Sequence, residues 1–583
     1  INCGNTTIAG NVTANNITLA EITVVENSKL KINETSTDGK ITLKGNILST
    51  DLKNLTLDGN VIASDQCYSI NLGTLESKGT FTAQNDLEIN AICTFENSVD
   101  AKGNLTINGN ANFANTVTTG NNLKIEGDEI NINGAAFAGK SDPFTEGSIL
   151  LTGTTKITAN SLSATKDITL NANVIETADL IAKNITIQGT TIKNAALIAT
   201  ENVFINKDSE VLEQTLNITG DVSSNNFEAV AKIQTFDGTI SVDNDFSCKG
   251  TQFDFSKSVT AKNMNLSGDE ITFAGKVTVN KNAQIQNTGL LKISDFVYGK
   301  SFVQDGIGQV MISGSFEQSG ESGESEKPTA TFGSNVYFYN SSQNSSPITI
   351  GSDKSYIEIK ENLIIAKSKE NDVAIKGTVK SNNFALYSGN VNLSGNLETD
   401  KDVIILGEKY SLKDDQTGIE NLYSYTENRP AHWSQASYSF ETELPNGTKL
   451  PDGTESNRFS GKVNVLSGKS ITVGKNFYAN GIELSGNEKW NLFIPDNSNA
   501  ENSFCEAYNS TVLACQVECS VENLRGQNKS KIAALQCTDN GGNENWVFDD
   551  VKISKAYSVS DKVIRVEFNK PIRILKDGFT QKQ

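Results

Sequence analysis

The sequence predicts an all-β protein, a parallel β-helix (β-solenoid) with loop insertions and a small C-terminal β segment. Three observations lead to this fold class. A four-residue pattern of alternating polar and apolar side chains recurs along much of the 583-residue chain. Where copies are consecutive, 17 or 18 residues separate them, a spacing typical of solenoid repeats. No apolar stripe with the helical period of 3.6 residues is long enough to compete with this pattern.

The repeated pattern begins with a polar residue, most often asparagine, and continues as apolar, polar, apolar. Clear copies are Asn16–Leu19, Lys40–Leu43, Asn54–Leu57, Asn104–Ile107, Asn122–Ile125, Asp167–Leu170, Asn184–Ile187 and Asn202–Ile205. Alternation with a period of two indicates a short strand with one buried face, and enrichment in β-branched residues favours a strand over a helix. Gly, Asn and Asp lie between the copies and suit the tight corners that would join such strands.

Eighteen residues that hold two or three short strands and their corners make one coil of a parallel β-helix, so equivalent residues of neighbouring coils should stack. We therefore expect Leu105 to lie over Leu123, and Ile168, Ile185 and Val203 to form another interior ladder. The leading asparagines should form a stacked row of amides. A narrow tube needs few large side chains, which explains a hydrophobic content of only 37%.

The composition excludes several classes of function. A net charge of −19 argues against a nucleic-acid or anionic-membrane partner, because phosphate binding needs a clustered basic face. The single histidine, His432, excludes metal sites that need two histidines and leaves any Ser-His-Asp or Cys-His chemistry dependent on one residue. No stretch of 18 apolar residues occurs, so no transmembrane helix is predicted. We expect no metal and no cofactor.

The runs Gly103–Gly109 and Lys166–Leu170 resemble the coils of filamentous-haemagglutinin-type and autotransporter-type adhesins of bacterial surfaces. The resemblance covers residues 1–495. It implies a right-handed parallel β-helix, a secreted or cell-surface location associated with the outer membrane, and a stalk or adhesin role. The implied partners are a host or matrix protein or glycan, or copies of the chain itself in an extracellular assembly.

Two stretches interrupt the repeat inside the predicted β-helix of residues 1–495. Residues 302–346 include a low-complexity run rich in Ser and Glu. Residues 408–458 contain several Pro and Gly turn signals in place of coil patterns. Both stretches are predicted to be insertions that leave the solenoid and return to it.

The chain after residue 495 has two predicted parts. Residues 496–545 are a cap or linker with four cysteines, Cys505, Cys515, Cys519 and Cys537. Zinc would need a tighter Cys-x-x-Cys pair and a histidine, so we expect two disulfides, with all three connectivities open. Residues 546–583 are the second part, in which the run Val563–Pro571 resembles the opening strands of bacterial Ig-like domains. Because a full sandwich needs about 100 residues, this domain would be incomplete.

The insertion at 408–458 carries the candidate binding surface. Its aromatic and basic side chains are Tyr423, Tyr425, Arg429, His432, Trp433 and Tyr438. Flat amphipathic rings serve both sugar stacking and protein contact. The alternative is that these rings form the small core that an excursion of this length needs.

The function expected from these features is a non-enzymatic, extracellular, structural or adhesive β-solenoid: a stalk, an adhesin, or a subunit of a filament or layer. The alternative is a carbohydrate-active β-helix enzyme such as a polysaccharide lyase or hydrolase. Such enzymes need carboxylates together with Arg, Lys or His on neighbouring coils. The five arginines lie in the second insertion, the cap region or the tail, so we assign no catalytic residue.

Overall fold

The computed structural model is all-β. Its described residues contain no helix, 72% of them lie in strands, and the strands form a β-solenoid of about 19 turns. The structure describes residues 2–8, 12–14, 18–24, 29–33, 41–43, 45–48, 54–141, 144–207, 209, 213–319, 328–339, 347–366, 373–388, 391–406, 443–444, 448–449, 461–466, 468–480, 482–486, 489–495, 505–508, 511–513, 519–526, 532–535, 537–549, 553–560 and 563–568. They belong to two compact units, Ile1–Gly308 and Gln309–Gln583.

The first unit consists of short strands that pair in parallel between coils, with one small antiparallel pair formed by Lys140–Ser141 and Phe144–Thr145. Strands β1 to β32, in chain order, are Asn2–Ile8, Val12–Ala14, Thr18–Val24, Lys29–Asn33, Ile41–Leu43, Ile47–Leu48, Asn54–Asp58, Val61–Ala63, Ser69–Ser77, Phe81–Ala83, Leu87–Phe95, Val99–Ala101, Leu105–Asn108, Ala111–Phe113, Val117–Thr119, Leu123–Ala138, Lys140–Ser141, Phe144–Thr145, Ile149–Ala164, Asp167–Asn171, Val174–Gln188, Thr191–Ile205, Thr215–Ile218, Val222–Ser224, Asn226–Val230, Ile233–Phe236, Ile240–Lys249, Gln252–Phe255, Val259–Gly268, Glu270–Asn287, Leu290–Tyr298 and Ser301–Asp305.

The second unit also contains parallel coil strands, together with two antiparallel pairs. One pair joins Glu443–Leu444 to Thr448–Lys449, and the other joins Ile553–Ser560 to Val563–Phe568. Strands β33 to β58 are Gln309–Ile312, Phe316–Gln318, Ala330–Phe332, Val336–Tyr339, Ile348–Ile350, Tyr356–Ala366, Val373–Ile375, Thr378–Ser388, Val391–Leu393, Asn396–Thr399, Val403–Leu406, Glu443–Leu444, Thr448–Lys449, Gly461–Val465, Ser470–Thr472, Phe477–Asn480, Ile482–Gly486, Trp490–Phe493, Cys505–Tyr508, Thr511–Leu513, Cys519–Glu522, Ile532–Leu535, Cys537–Asp539, Trp546–Asp549, Ile553–Ser560 and Val563–Phe568.

The predicted stacking of coils is confirmed. Leu105 pairs in register with Leu123, and Ile168 pairs with Ile185, which pairs with Val203. All five side chains are fully buried. The apolar positions of the repeated pattern therefore form interior ladders, and the polar position between them faces outward, as period-2 alternation requires.

The predicted row of amides is also confirmed. Asn184 donates from Nδ2 to Asp167 Oδ1 at 2.9 Å, Asn202 donates to Asn184 Oδ1 at 2.8 Å, and Asn226 donates to Asn202 Oδ1 at 2.9 Å. The whole row, which we call the amide row, consists of Asp167, Asn184, Asn202, Asn226, Asp245, Asn263, Asn282 and Ser301. Six of its seven links join two side chains, and in the seventh the backbone N–H of Asp245 donates to Asn226 Oδ1, so the row follows the stacking direction of the coils.

A corresponding row lies in the second unit. Asn362 donates from Nδ2 to Asn335 Oδ1 at 2.8 Å, and Asn383 donates to Asn362 Oδ1 at 2.7 Å. Asn476 donates to Asp402 Oδ1 at 2.9 Å further along the chain. The same stacking principle therefore operates in both units.

Aromatic rings fill part of the interior of the first unit. Phe255 stacks between Phe236 and Phe273, with ring centroids 5.1 and 4.8 Å apart and nearly parallel planes. Each ring contacts the equivalent ring of the next coil, so the packing energy of one coil depends on its immediate neighbours.

Coil length varies because the corners absorb extra residues. Asn104 and Asn122, hydrogen-bonded across one coil step, are 18 residues apart, whereas Asn122 and Ser148 are 26 apart. In the second unit Asn396 and Ser470 are hydrogen-bonded across a step of 74 residues. A coil can therefore carry a long excursion without losing register with the next coil.

Four regions that the sequence separates from regular coils contain strands of the structure. Within residues 302–346, β35 and β36 pair in parallel with β38. Most of 408–458 lies outside the described residues, which here include only the antiparallel pair β44–β45. Within 496–545, β51 pairs in parallel with β48, and β53 pairs with β50. Parallel pairing extends to β56, and residues 546–583 then contain the antiparallel pair β57–β58.

Candidate binding site

The candidate surface at Tyr423, Tyr425, Arg429, His432, Trp433 and Tyr438 lies outside the described residues. Its role therefore stays a prediction. The candidate site described below was not expected from the sequence, and it lies entirely in the first unit.

The predicted disulfides are not found, because the residues that the structure describes contain no disulfide bond. Cys519 and Cys537 are register partners on neighbouring parallel strands, Cys505 begins β51, and Cys515 lies outside the described residues. Parallel neighbours repeat at about 4.8 Å, whereas the Cβ atoms of a disulfide are only about 3.8 Å apart. Register stacking therefore does not by itself bring two cysteines to bonding distance.

In one interior ladder of the first unit, the size and polarity of the side chains change over five coils. Its members in register are Ile132, Ala159, Thr177, Asn194 and Ile218. Three small or polar side chains thus replace the large apolar ones that stand at both ends of the ladder. Ala159, Thr177 and Asn194 are among the residues that line a groove of about 510 Å³, which we call the first groove.

The first groove is lined by alanine methyl groups, which we call its floor, and by polar side chains, which we call its walls. Ala159, Ala178 and Ala195 line it together with side chains that offer hydrogen-bond donors and acceptors. These polar lining residues are Asn133, Thr158, Asn160, Glu176, Thr177, Lys193, Asn194, Asn217 and Thr219. No aromatic side chain is among the residues that line this groove.

The amide of Asn194 has a fixed orientation at the groove. Its Nδ2 donates to Thr177 Oγ1 at 2.6 Å and to the carbonyl oxygen of Ala178 at 3.0 Å. The side chain is only 3% exposed, and its Oδ1 receives no hydrogen bond. Oδ1 of Asn217 is likewise buried without a donor. A buried acceptor without a donor costs free energy, so both atoms favour an incoming hydrogen-bond donor.

The charged groups beside the first groove form ion pairs that share one carboxylate, which leaves one positive charge in excess. Glu176 lies 2.6 Å from Lys156 Nζ and 3.5 Å from Lys193 Nζ. The hydrogen bond from Lys156 lowers the pKa of the Glu176 carboxyl, Lys193 adds to this effect, and partial burial opposes it. Glu176 is therefore held as a carboxylate and is poorly suited to donate a proton as a general acid.

A second groove lies at the corner that precedes the same strands. It measures about 430 Å³, and its lining includes Asn171, Gln188, Asn206 and Gln214. Asn206, in a left-handed conformation with φ of 51°, donates to the carbonyl of Gly189 at 3.0 Å and accepts from its amide at 2.9 Å. The two grooves flank one narrow face of the solenoid.

A sequence signal for the first groove exists, although it was missed. The segments that supply Ala159, Thr177 and Asn194 keep an apolar residue two positions earlier, at Ile157, Ile175 and Ile192. They are copies of the alternating pattern in which the second apolar position has been replaced. A search for such replaced copies, in place of complete ones, would have indicated these coils.

The described residues contain no group of three or more His, Cys, Asp or Glu side chains that could hold a metal ion, and no helix in them is able to span a membrane. Comparison of the chain with models of known families, with curated proteins and with solved structures finds no match.

Proposed function

We propose that this chain is a non-enzymatic, extracellular β-solenoid that serves as a stalk, an adhesin, or a subunit of a filament or layer on a bacterial surface. The observation that carries the proposal is the amide row of the first unit, in which successive coils are joined by side-chain hydrogen bonds. A row of this kind adds a second set of inter-coil bonds to the backbone ladder. It supports a role in which the coils must resist separation.

The finer assignment, to adhesins of the filamentous-haemagglutinin or autotransporter type, rests on the resemblance of Gly103–Gly109 and Lys166–Leu170 alone. It places the protein on the cell surface or in the secreted fraction, associated with the outer membrane. Its partners are then a host or matrix protein or glycan, or other copies of the chain. The antiparallel pair β57–β58 contains most of the run that resembles an Ig-like domain.

The alternative, a carbohydrate-active enzyme, finds less support in the grooves. Glycoside hydrolysis needs two carboxyl groups with different protonation states on either side of the bond. Glu176 is the one carboxylate that lines the first groove, and its lowered pKa suits an ion pair better than a proton donor. The lining residues of both grooves include no arginine or histidine to stabilise developing negative charge.

The test combines a search for turnover with a search for attachment. Purified protein is incubated with pectin, alginate, hyaluronan and chitin, and reducing ends are measured; none should be released. In parallel, binding to bacterial and host cell surfaces or assembly into filaments is followed by negative-stain microscopy. Turnover that disappears in Glu176→Gln would overturn the proposal in favour of the enzyme, whereas attachment or assembly without turnover supports it.

A further inference from the structure

We propose that the first groove binds one extended strand of a neutral, unbranched glycan along the stacking direction of the coils. The inference rests on the proposed function, because a non-enzymatic solenoid holds such a chain without cleaving it. It places the glycan in the first groove, within the first unit, and not at the aromatic cluster of residues 408–458.

The dimensions suit a single extended chain. The ladder from Ile132 to Ile218 crosses four coil steps, which amounts to about 19 Å at about 4.8 Å per step. A volume of about 510 Å³ over that length leaves a narrow channel, within the size range of small-ligand sites. Ile132 lines the groove in the first of these coils, and Asn217 and Thr219 line it in the last, so the occupant is a short stretch of a linear polymer.

The lining has two kinds of surface, as a sugar ring does. The methyl groups of Ala159, Ala178 and Ala195 offer an apolar floor for the C–H faces of the rings. Amides and hydroxyls on the walls, including Asn160 and Asn217, can exchange hydrogen bonds with ring hydroxyls. Each coil contributes one polar side chain at the same register position, in the order Thr158, Glu176, Lys193 and Asn217, so polar groups occur along the groove at the coil spacing of about 4.8 Å.

Asn194 and Asn217 indicate that the occupant donates hydrogen bonds. Both present a buried Oδ1 without a donor. The Asn194 amide cannot turn over without giving up its bonds to Thr177 and Ala178. Neither atom is exposed to solvent in the structure, so a sugar hydroxyl supplies the missing donor only when a small side-chain shift opens the acceptor to the groove.

An extended peptide fits this site less well. Peptides that bind along sheets do so by pairing with a free strand edge. Here each strand of the groove, for example Val174–Thr177 within β21, already pairs in register with a strand on both sides. No backbone edge is therefore open, and recognition depends on side chains.

The charge pattern favours a neutral occupant. Lys156 and Lys193 both contact the single carboxylate Glu176, so the charges beside the groove are largely paired and only one positive charge is in excess. The chain as a whole has a net charge of −19, and this field repels polyanions such as polyuronates.

The experiment is calorimetric titration of the full chain with cellotetraose, maltotetraose, chitotetraose and xylotetraose, with the matching disaccharides, and with tetragalacturonate as the anionic probe. At least one neutral tetraose should bind, about tenfold or more tighter than its disaccharide and than tetragalacturonate. Ala178→Leu, which fills the floor, and Asn217→Ala, which removes a wall amide, should each weaken binding about tenfold or more. Ala374→Leu, at a half-buried alanine of a strand in the second unit, is the matched control and should leave binding unchanged.

Circular dichroism of each variant verifies that the solenoid is intact. If Ala178→Leu disturbs the coil corner at residue 178, Asn217→Ala still tests the groove. Three results would overturn the groove assignment. None of the four neutral tetraoses binds at millimolar concentration, or the groove variants leave binding unchanged, or the protein prefers tetragalacturonate. Release of reducing ends from a bound tetraose would instead overturn the proposed function while supporting the groove as the glycan site.

Discussion

Replacement of Asn202 by alanine tests the contribution of the amide row. Asn202 donates to Asn184 at 2.8 Å and accepts from Asn226 at 2.9 Å, so Asn202→Ala removes two hydrogen bonds. Each contributes about 1 kcal/mol net, and the half-buried partners regain only part of this from water. We therefore expect a loss of about 2 kcal/mol, concentrated in the coils next to residue 202 because solenoid stability depends on nearest neighbours.

Native-state hydrogen exchange is the assay, because it measures the opening free energy of individual coils. The backbone amides of Ile185 and Val203, which lie in the coils that Asn202 joins, should lose about 2 kcal/mol of protection. Asn112→Ala is the matched control, since Asn112 is exposed on the outer face of β14, and it should change protection by less than about 0.5 kcal/mol. If Asn202→Ala costs no more than Asn112→Ala, the amide row does not hold the coils together.

Three further predictions follow from packing and titration. Phe255→Ala should cost about 3–5 kcal/mol, because it removes a ring that is 1% exposed and stacked on both sides, whereas Phe255→Leu should cost much less; urea denaturation compares the two. Burial raises the pKa of Cys67 to about 11 and of Cys93 to about 12, so neither thiol should react with iodoacetamide at neutral pH until the coils open. Above the ordinary thiol pKa the folded state keeps these protons and the unfolded state loses them. The free energy of unfolding should therefore fall as the pH rises above that value. The hydrogen bond from Lys156 lowers the pKa of Glu176. The contribution of this ion pair to stability should therefore be present above the ordinary carboxyl pKa and disappear as the pH falls through the lowered pKa of Glu176. NMR titration of the Glu176 carboxyl, compared with the Lys156→Met variant, measures this shift. An ordinary carboxyl pKa in the unchanged protein would contradict the ion pair.

Much of the fold could be predicted because its rules are local. Alternation over four residues identifies a strand and its buried face, and a spacing of 17 or 18 residues identifies the coil. From these two facts the pairing of Leu105 with Leu123 and the bonding of Asn184 to Asn202 follow directly, and both are present. An asparagine at one position of successive coils can bond to the asparagine above it wherever the coils are in register.

Composition was a less reliable guide to where the coils end. The sequence predicts a cap or linker at residues 496–545, yet these residues contain parallel strands, and the pairing extends to Trp546–Asp549. A bulky ring can occupy an interior position when its neighbours in register leave room, and Trp490 is fully buried opposite Cys519. Aromatic content alone therefore does not distinguish an interior position from a cap.

The sequence by itself determined the strand pattern, its buried face and the row of asparagines, because each depends on residues a few positions apart or on one constant spacing. Only the tertiary structure decided which side chains share a groove, because neighbouring coils differ in length: steps of 17, 18 and 26 residues join hydrogen-bonded partners in the first unit. The corners absorb this difference while backbone pairing and interior packing keep the strands in register. Ala159, Thr177 and Asn194 therefore meet between Ile132 and Ile218 through contacts across the solenoid that no regular count along the chain specifies.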